Sequence, residues 1–238
     1  MPNGRRVISG LNGLATTEDA GRPLLVIGNR NYSSWSLRAW LYLASTGIPF
    51  DTLRLPLDTD EFRRRIGDYS PSRRVPVLHH GPVRVWDSLA ICEYIAETFD
   101  LSGAWPVSAV KRAMARSIAC EMHAGFPDLR RELPMNCRAR DRRVDISAMA
   151  RSDIRRVVEI WEQALSASGG PWLFGEFGIA DAMYAPVVLR FASYRVVVPP
   201  ASAGFMDTMM AMPPMLDWLR QASAESEVVA ADEVGTTD

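Results

Sequence analysis

The chain has 238 residues, 27 of them Lys or Arg and 28 Asp or Glu, for a net charge of −1. That length can bury a sizeable core in one large domain or two small ones, and the balanced charge leaves no electrostatic case for nucleic acid as the main partner. No apolar run approaches a membrane span, and the three cysteines, Cys92, Cys120 and Cys137, never form a C-x-x-C pair, which argues against a disulfide framework or zinc knuckle and for a reducing compartment.

In chain order, residues 1–22 lack the continuous apolar centre of a secretory signal and read as a flexible extension. PLLVIGN (23–29) is a β-branched and leucine run that suits a buried strand. Leu37, Trp40, Leu41, Ala44 and Ile48 then recur on one face of an amphipathic helix. PFDTLRLPL reads as a second strand, and DTDEFRRRIGDYS as a short polar helix capped by Asp58 or Thr59. VPVLHHGPVRVW is two alternating runs around a His-His-Gly-Pro turn, hence a β-hairpin with His79 and His80 at its surface and no acidic spacing nearby to build a metal site. DSLAICEYIAETF places Leu89, Cys92 and Phe99 on one helical face. The result is βαβαββα within 23–100, the size of one small α/β domain.

DLSGAWPVS has the Gly, Pro and Ser content of a linker, assigned to 101–108. Helical patterning dominates beyond it, over 108–132, 148–168, 179–194 and 213–222, and the intervening VVVPPASAG reads as extended loop around Pro199-Pro200. An all-α domain over 109–222 follows, and the polar tail 223–238 is expected to be disordered.

Three stretches carry chemistry. YSSWSLRAWL (32–41) places hydroxyls at the start of the first helix, where they serve as caps in any protein. SRRVPVL (72–78) opens a strand at Val75-Pro76, and WDSLAICEYIAE (86–97) sets Asp87-Ser88 at a helix N-terminus, whose free N–H groups and positive dipole end can hold a carboxylate. Together these stretches resemble the glutathione transferase family over about residues 23–221, and the serine segment looks most like the bacterial serine-type branch and the zeta, or maleylacetoacetate isomerase, class.

The resemblance implies a thioredoxin-like α/β N-terminal domain followed by an all-α helical C-terminal domain, a cytoplasmic homodimer, and glutathione as co-substrate. It implies that Val75-Pro76 is cis and presents the Val75 backbone to the tripeptide, with Arg74 beside it, and that Asp87 and Ser88 hold the γ-glutamyl end. It also places Ser33 at the family's catalytic serine, with Ser34 as its neighbour and Tyr32 one residue before. A hydroxyl that donates to the glutathione sulfur at the positive end of a helix favours the thiolate, which a free thiol with a pKa of about 8.5 yields only sparingly at neutral pH. Trp35 stands where the zeta class usually carries cysteine. LFGEFGIADAMYAPVVLRF is similar to the family's helix with a capping box, but Gly178 replaces the hydroxyl residue while Asp181 keeps its place as a structural residue.

The implied activity is transfer of the glutathione thiolate to a small hydrophobic electrophile. The alternatives are a glutathione-dependent cis–trans isomerase of the maleylacetoacetate type and a non-catalytic ligand-binding member. Met114, Met122, His123, Phe126 and Arg130 fall on a helix that faces the first domain and can line an electrophile site, although such a stripe more often belongs to the core.

Overall fold

A computed structural model describes residues 21–237. The expected extension over 1–22 therefore lies, apart from Gly21 and Arg22, outside the described residues. The N-terminal half runs β1 (Leu24–Ile27), α1 (Ser34–Ser45), β2 (Asp51–Arg54), α2 (Asp60–Tyr69), β3 (Val77–His80), β4 (Val83–Trp86) and α3 (Ser88–Thr98). The sheet order is β2-β1-β3-β4, with β1 and β2 parallel and the other pairs antiparallel. His80 pairs with Val83 across a two-residue turn in which Gly81 takes a φ of +56°, a conformation glycine adopts without a Cβ clash. This is the thioredoxin-like order expected from the sequence.

His80 departs from its expected surface position. It is buried, stacked on Phe99, and both ring nitrogens are engaged, Nδ1 with Tyr94 Oη at 2.9 Å and Nε2 with Gly21 O at 3.1 Å. A strand partner at the turn is covered by whatever helix crosses it, here α3, and the local alternation does not register that cover.

The C-terminal half is helical: α4 (Ala109–Ala124), α5 (Pro127–Glu132), α6 (Ala148–Ser168), α7 (Ile179–Ser193), α8 (Pro200–Ala211) and α9 (Pro213–Ser223). Two details differ from the sequence reading. The run 108–132 breaks at Gly125-Phe126, where Phe126 is left-handed and Pro127 starts a new helix. PPASAG is the first turn of α8 and not loop, because Pro200 occupies N1, the helix position that needs no N–H. No helix among the described residues is long and apolar enough to cross a membrane.

α7 is the centre of the molecule. Nearly every side chain from Ile179 to Phe191 is buried, and the helix packs against α1, α3, α4 and α8. Its N-terminus accounts for the missing hydroxyl cap: a Cβ at Gly178 would lie 3.0 Å from Ala104 O and 3.2 Å from Gly103 O, and Ile179 N–H donates to Ala104 O at 3.1 Å. The linker carbonyl thus does part of the work of a cap. Buried Asp181 supplies the rest, its two oxygens accepting from Leu173 N–H and Gly178 N–H, each at 2.9 Å.

The tail contradicts its expected disorder. Glu225 accepts from the backbone N–H groups of Arg30 and Asn31 at 2.8 and 3.1 Å. Glu227 pairs with Arg54 at 2.7 Å, and Glu233 accepts from Tyr32 Oη (2.6 Å), Asn136 Nδ2 (2.9 Å) and Arg142 Nη2 (2.9 Å). Arg138 binds the carbonyls of Glu225 and Glu227. A segment too polar to form a core is held instead by carboxylates matched to unfilled donors, an arrangement that composition does not encode.

Two outcomes follow from these bonds. Asp181→Asn presents an amide N–H₂ to one of two backbone donors, and unfolding calorimetry should register a loss of about 1–3 kcal/mol; an unchanged melting temperature would contradict the role given to Asp181. Glu225→Ala should raise amide hydrogen exchange at Arg30 and Asn31 selectively, with exchange in the β1–β3 ladder unaltered.

Candidate active site

Five residues before α1 fix where that helix begins. Asn29 accepts from Leu57 N–H through Oδ1 (2.6 Å) and from Ser33 N–H through its carbonyl (2.9 Å). Arg30 O accepts from Trp218 Nε1 at 3.1 Å, and Asn31 exchanges bonds with the 136–138 segment: Nδ2 to Asn136 Oδ1 (3.0 Å), Arg138 N–H to Oδ1 (2.8 Å) and Cys137 N–H to its carbonyl (3.0 Å). With Glu225 on the N–H side, the backbone N–H and C=O groups of Arg30 and Asn31 all have distant partners, while Asn29 Nδ2 and Arg30 Nε are buried without one. Its position is set by both halves of the chain.

The three hydroxyls that follow are not equivalent. Tyr32 Oη donates to Glu233 and accepts from Arg138 Nη2 at 2.8 Å; burial, reinforced by Glu233, raises its pKa. Ser33 is the N-cap of α1, its Oγ accepting from Ser36 N–H at 3.3 Å and donating to Ser36 Oγ at 2.8 Å. Ser34, at the first position of the helix, has no side-chain hydrogen-bond partner among the described residues and lines a cleft. The sequence reading ranked Ser33 first, and the geometry leaves Ser34 as the hydroxyl with a free proton.

That cleft, about 360 Å³, is bounded by Ser33, Ser34, Leu57, Phe62, Met135 and Asp232, with Arg73, Arg74, Arg130 and Arg190 around it. Burial lowers the pKa of Arg130 and takes Arg190 down to about 10, with Arg130 adding its repulsion. At about 10, Arg190 stays protonated at neutral pH. Arg190 donates to the carbonyls of Arg130 and Leu133, while Arg130 binds Gly125 O at 2.9 Å and the carbonyl of Met122. Asp232, brought in by the tail, has its carboxyl pKa raised by burial against the opposing pull of Arg190.

A second cleft of about 290 Å³ adjoins it, lined by Ser72, Arg74, Val75, Pro76, Trp86, Asp87, Ser88 and His123. Val75-Pro76 is cis, and Val75 lies just before the ladder that begins at Val77. Arg74 makes no ion pair and no side-chain hydrogen bond among the described residues. Asp87 caps α3 through Oδ1, which accepts from Leu89 N–H (2.9 Å) and Ala90 N–H (3.4 Å). Ser88 is buried and its Oγ has no partner. A donor group in such a place suits an anionic ligand.

Trp35 stands between the two clefts and lines both. The guanidinium carbons of Arg38 and Arg130 lie 4.4 and 5.1 Å from its ring centroid, and His123 meets it edge-on at 5.1 Å. The structure therefore gathers Ser33, Ser34, Arg74, Val75, Pro76, Asp87 and Ser88 along one continuous groove. Of the helix residues considered for an electrophile site, His123 and Arg130 reach it, Met122 and Phe126 belong to the core, and Met114 is exposed elsewhere. Arg190, Asp232 and Trp86 were missed. Arg190 lies in a helix whose local pattern is core, and Asp232 in a tail with no pattern.

Comparison with known proteins agrees with this fold. Residues 32–98 match the description "Glutathione S-transferase, N-terminal domain" and residues 123–221 "Glutathione S-transferase, C-terminal domain". Maleylacetoacetate isomerase of Rattus norvegicus is 26% identical over 185 residues, covering 76% of this chain and 83% of that protein. Dichloromethane dehalogenase of Methylorubrum extorquens is 35% identical over 69 residues, covering 27% of this chain and 23% of that one. Among solved structures, a glutathione transferase homologue from Burkholderia GL BGR1 with bound glutathione superposes with a TM-score of 0.68 at 21% identity, covering 86% of this chain and all (100%) of that one. A tau class glutathione S-transferase from Mangifera indica gives a TM-score of 0.63 at 19% identity, with 86% and 97% covered. With both family domains matched in their usual order, on the fold that the sequence and the geometry describe independently, the chain belongs to the glutathione S-transferase family.

Proposed function

We propose that this protein is a glutathione transferase that binds glutathione along the Val75 and Asp87-Ser88 cleft, holds its sulfur as a thiolate at the N-terminus of α1, and transfers it to an electrophile in the arginine-lined cleft. The observation that carries this reading is the unpartnered hydroxyl of Ser34 in the arginine-lined cleft, next to Trp35, which lines both clefts. The backbone of Val75 aligns the cysteinyl segment as an added strand, the α3 N-terminus with Ser88 takes the γ-glutamyl carboxylate, and Arg74 is free to reach a carboxylate of the peptide. At the other end, the α1 dipole and the Ser34 hydroxyl stabilise the sulfur anion. Arg38, Arg130 and Arg190 add positive potential behind it. Ser33 acts as the cap that shapes this helix end.

Attack then forms the carbon–sulfur bond as the leaving group departs, or as the electron pair moves onto a conjugated carbonyl. The homodimeric state and cytoplasmic location are carried over from the family resemblance, and the free thiols of Cys92, Cys120 and Cys137 suit a reducing compartment.

A second reading, glutathione-dependent cis–trans isomerisation, is favoured by the arginines around the serine cleft, which suit an acceptor carrying carboxylate groups better than a purely hydrophobic one. There the thiolate adds to a double bond, rotation follows, and elimination returns glutathione unconsumed. Turnover of maleylacetone without loss of free thiol identifies this activity, and its absence removes it.

The test of the main reading is the thiol pKa of bound glutathione, followed by ultraviolet absorbance of the thiolate. Ser34→Ala should raise it by about one unit, the worth of one hydrogen bond to a charged group, and Ser33→Ala should chiefly lower thermal stability, by about 1 kcal/mol for a lost cap. A Ser34→Ala protein with unchanged thiol pKa and rate contradicts the assignment, and a rise confined to Ser33→Ala transfers the role to Ser33.

A further inference from the structure

We propose that His123, on α4 of the helical half, is a positioning residue of the glutathione cleft: it holds the Asp87 carboxylate from across the groove so that the N-terminus of α3 keeps the shape that receives the γ-glutamyl end. The inference rests on the glutathione reading above. Nε2 of His123 lies 2.9 Å from Asp87 Oδ2, while Oδ1 of the same carboxylate is taken by the Leu89 and Ala90 N–H groups. Asp87 has a φ of +82°, a conformation that a residue with a Cβ adopts only when its surroundings hold it there. The bonds at Oδ1 are local to α3. The bond at Oδ2 is the one that ties this unusual backbone to the other half of the molecule.

The imidazole is itself oriented. Its Nδ1 is buried without a partner, so the ring is held by Nε2 and by the edge contact with Trp35, 5.1 Å between centroids. Next to Asp87, Ser88 is buried with an unpartnered Oγ at the cleft wall. An anionic ligand group beside Ser88 sits close to the Asp87 carboxylate, and a donor on Oδ2 draws that negative charge away from it. Each carboxylate oxygen accepts two bonds, so a ligand ammonium can still join. His123 thus acts on binding through Asp87, without touching the sulfur chemistry at α1.

The test measures glutathione binding calorimetrically and the glutathione KM and kcat kinetically, in the full chain, for wild type, His123→Phe and His123→Gln. Phenylalanine keeps a ring against Trp35 and removes the donor; glutamine restores an N–H donor without the ring. His123→Phe should weaken glutathione binding and raise KM about tenfold with kcat within about twofold, the effect of one lost bond to a charged group, and His123→Gln should recover most of it. Wild-type affinity in His123→Phe, equal losses in both variants, or a fall in kcat with KM unchanged would each overturn the positioning role. If wild type binds no glutathione, the glutathione reading falls together with this one; if it binds and His123→Phe binds equally well, only the role of His123 falls.

Discussion

The packing of α1 against α7 is the constraint on which the site depends. α1 is sealed into the core by Leu37, Leu41 and Leu43, and its buried Arg38 donates from Nε to Met183 O of α7 at 3.0 Å. A fully buried guanidinium is costly where its N–H groups lack partners, and here Nη1 and Nη2 have none while the face of the group lies 4.4 Å from the Trp35 ring. One side chain therefore couples the central helix, the helix that carries the serines, and the wall between the two clefts. Trp40 against Trp218, 5.2 Å between ring centroids, extends the same seam to α9.

Because α1 is fixed from behind, its N-terminus can be an electrostatic device and not merely a helix end. Burial lowers the pKa of Arg38 well below the usual guanidinium value, with Arg130 and Arg190 adding to the effect. Three cations close enough to repel one another are kept together by carbonyl oxygens and an indole face. Their common field is relieved by an anion in the groove, so the resting protein is arranged for a charge that the ligand brings. Asp232 supplies part of that charge from within the chain.

What the sequence makes legible is local. The period of two and the turn residues reveal β3 and β4, the period of 3.6 reveals α1 and α3, and Val75-Pro76 and Asp87-Ser88 stand out because each motif is complete within a few residues. The side chains of Asn29 and Asn31 bond to Leu57, Asn136 and Arg138; no spacing rule connects positions so far apart. The bond by which Ser33 Oγ donates to Ser36 Oγ is hidden for a related reason, since it becomes visible only once the cap is built. α8 hid behind its prolines, which were read as breakers where they are starters. The arginines of the groove come from three separate segments, and in each the neighbouring residues suggest surface or core.

The tail has a consequence for how the molecule is finished. The bond from Arg30 N–H to Glu225 closes a loop of 195 residues, and contacts of such separation form after local ones because the chain must give up the most freedom to make them. The apolar core that spans both halves includes no residue beyond Ala222, so it can form before this clasp closes. The turn before α1, and with it one edge of the groove, is thus held in part by a short polar tail that lies outside the main core.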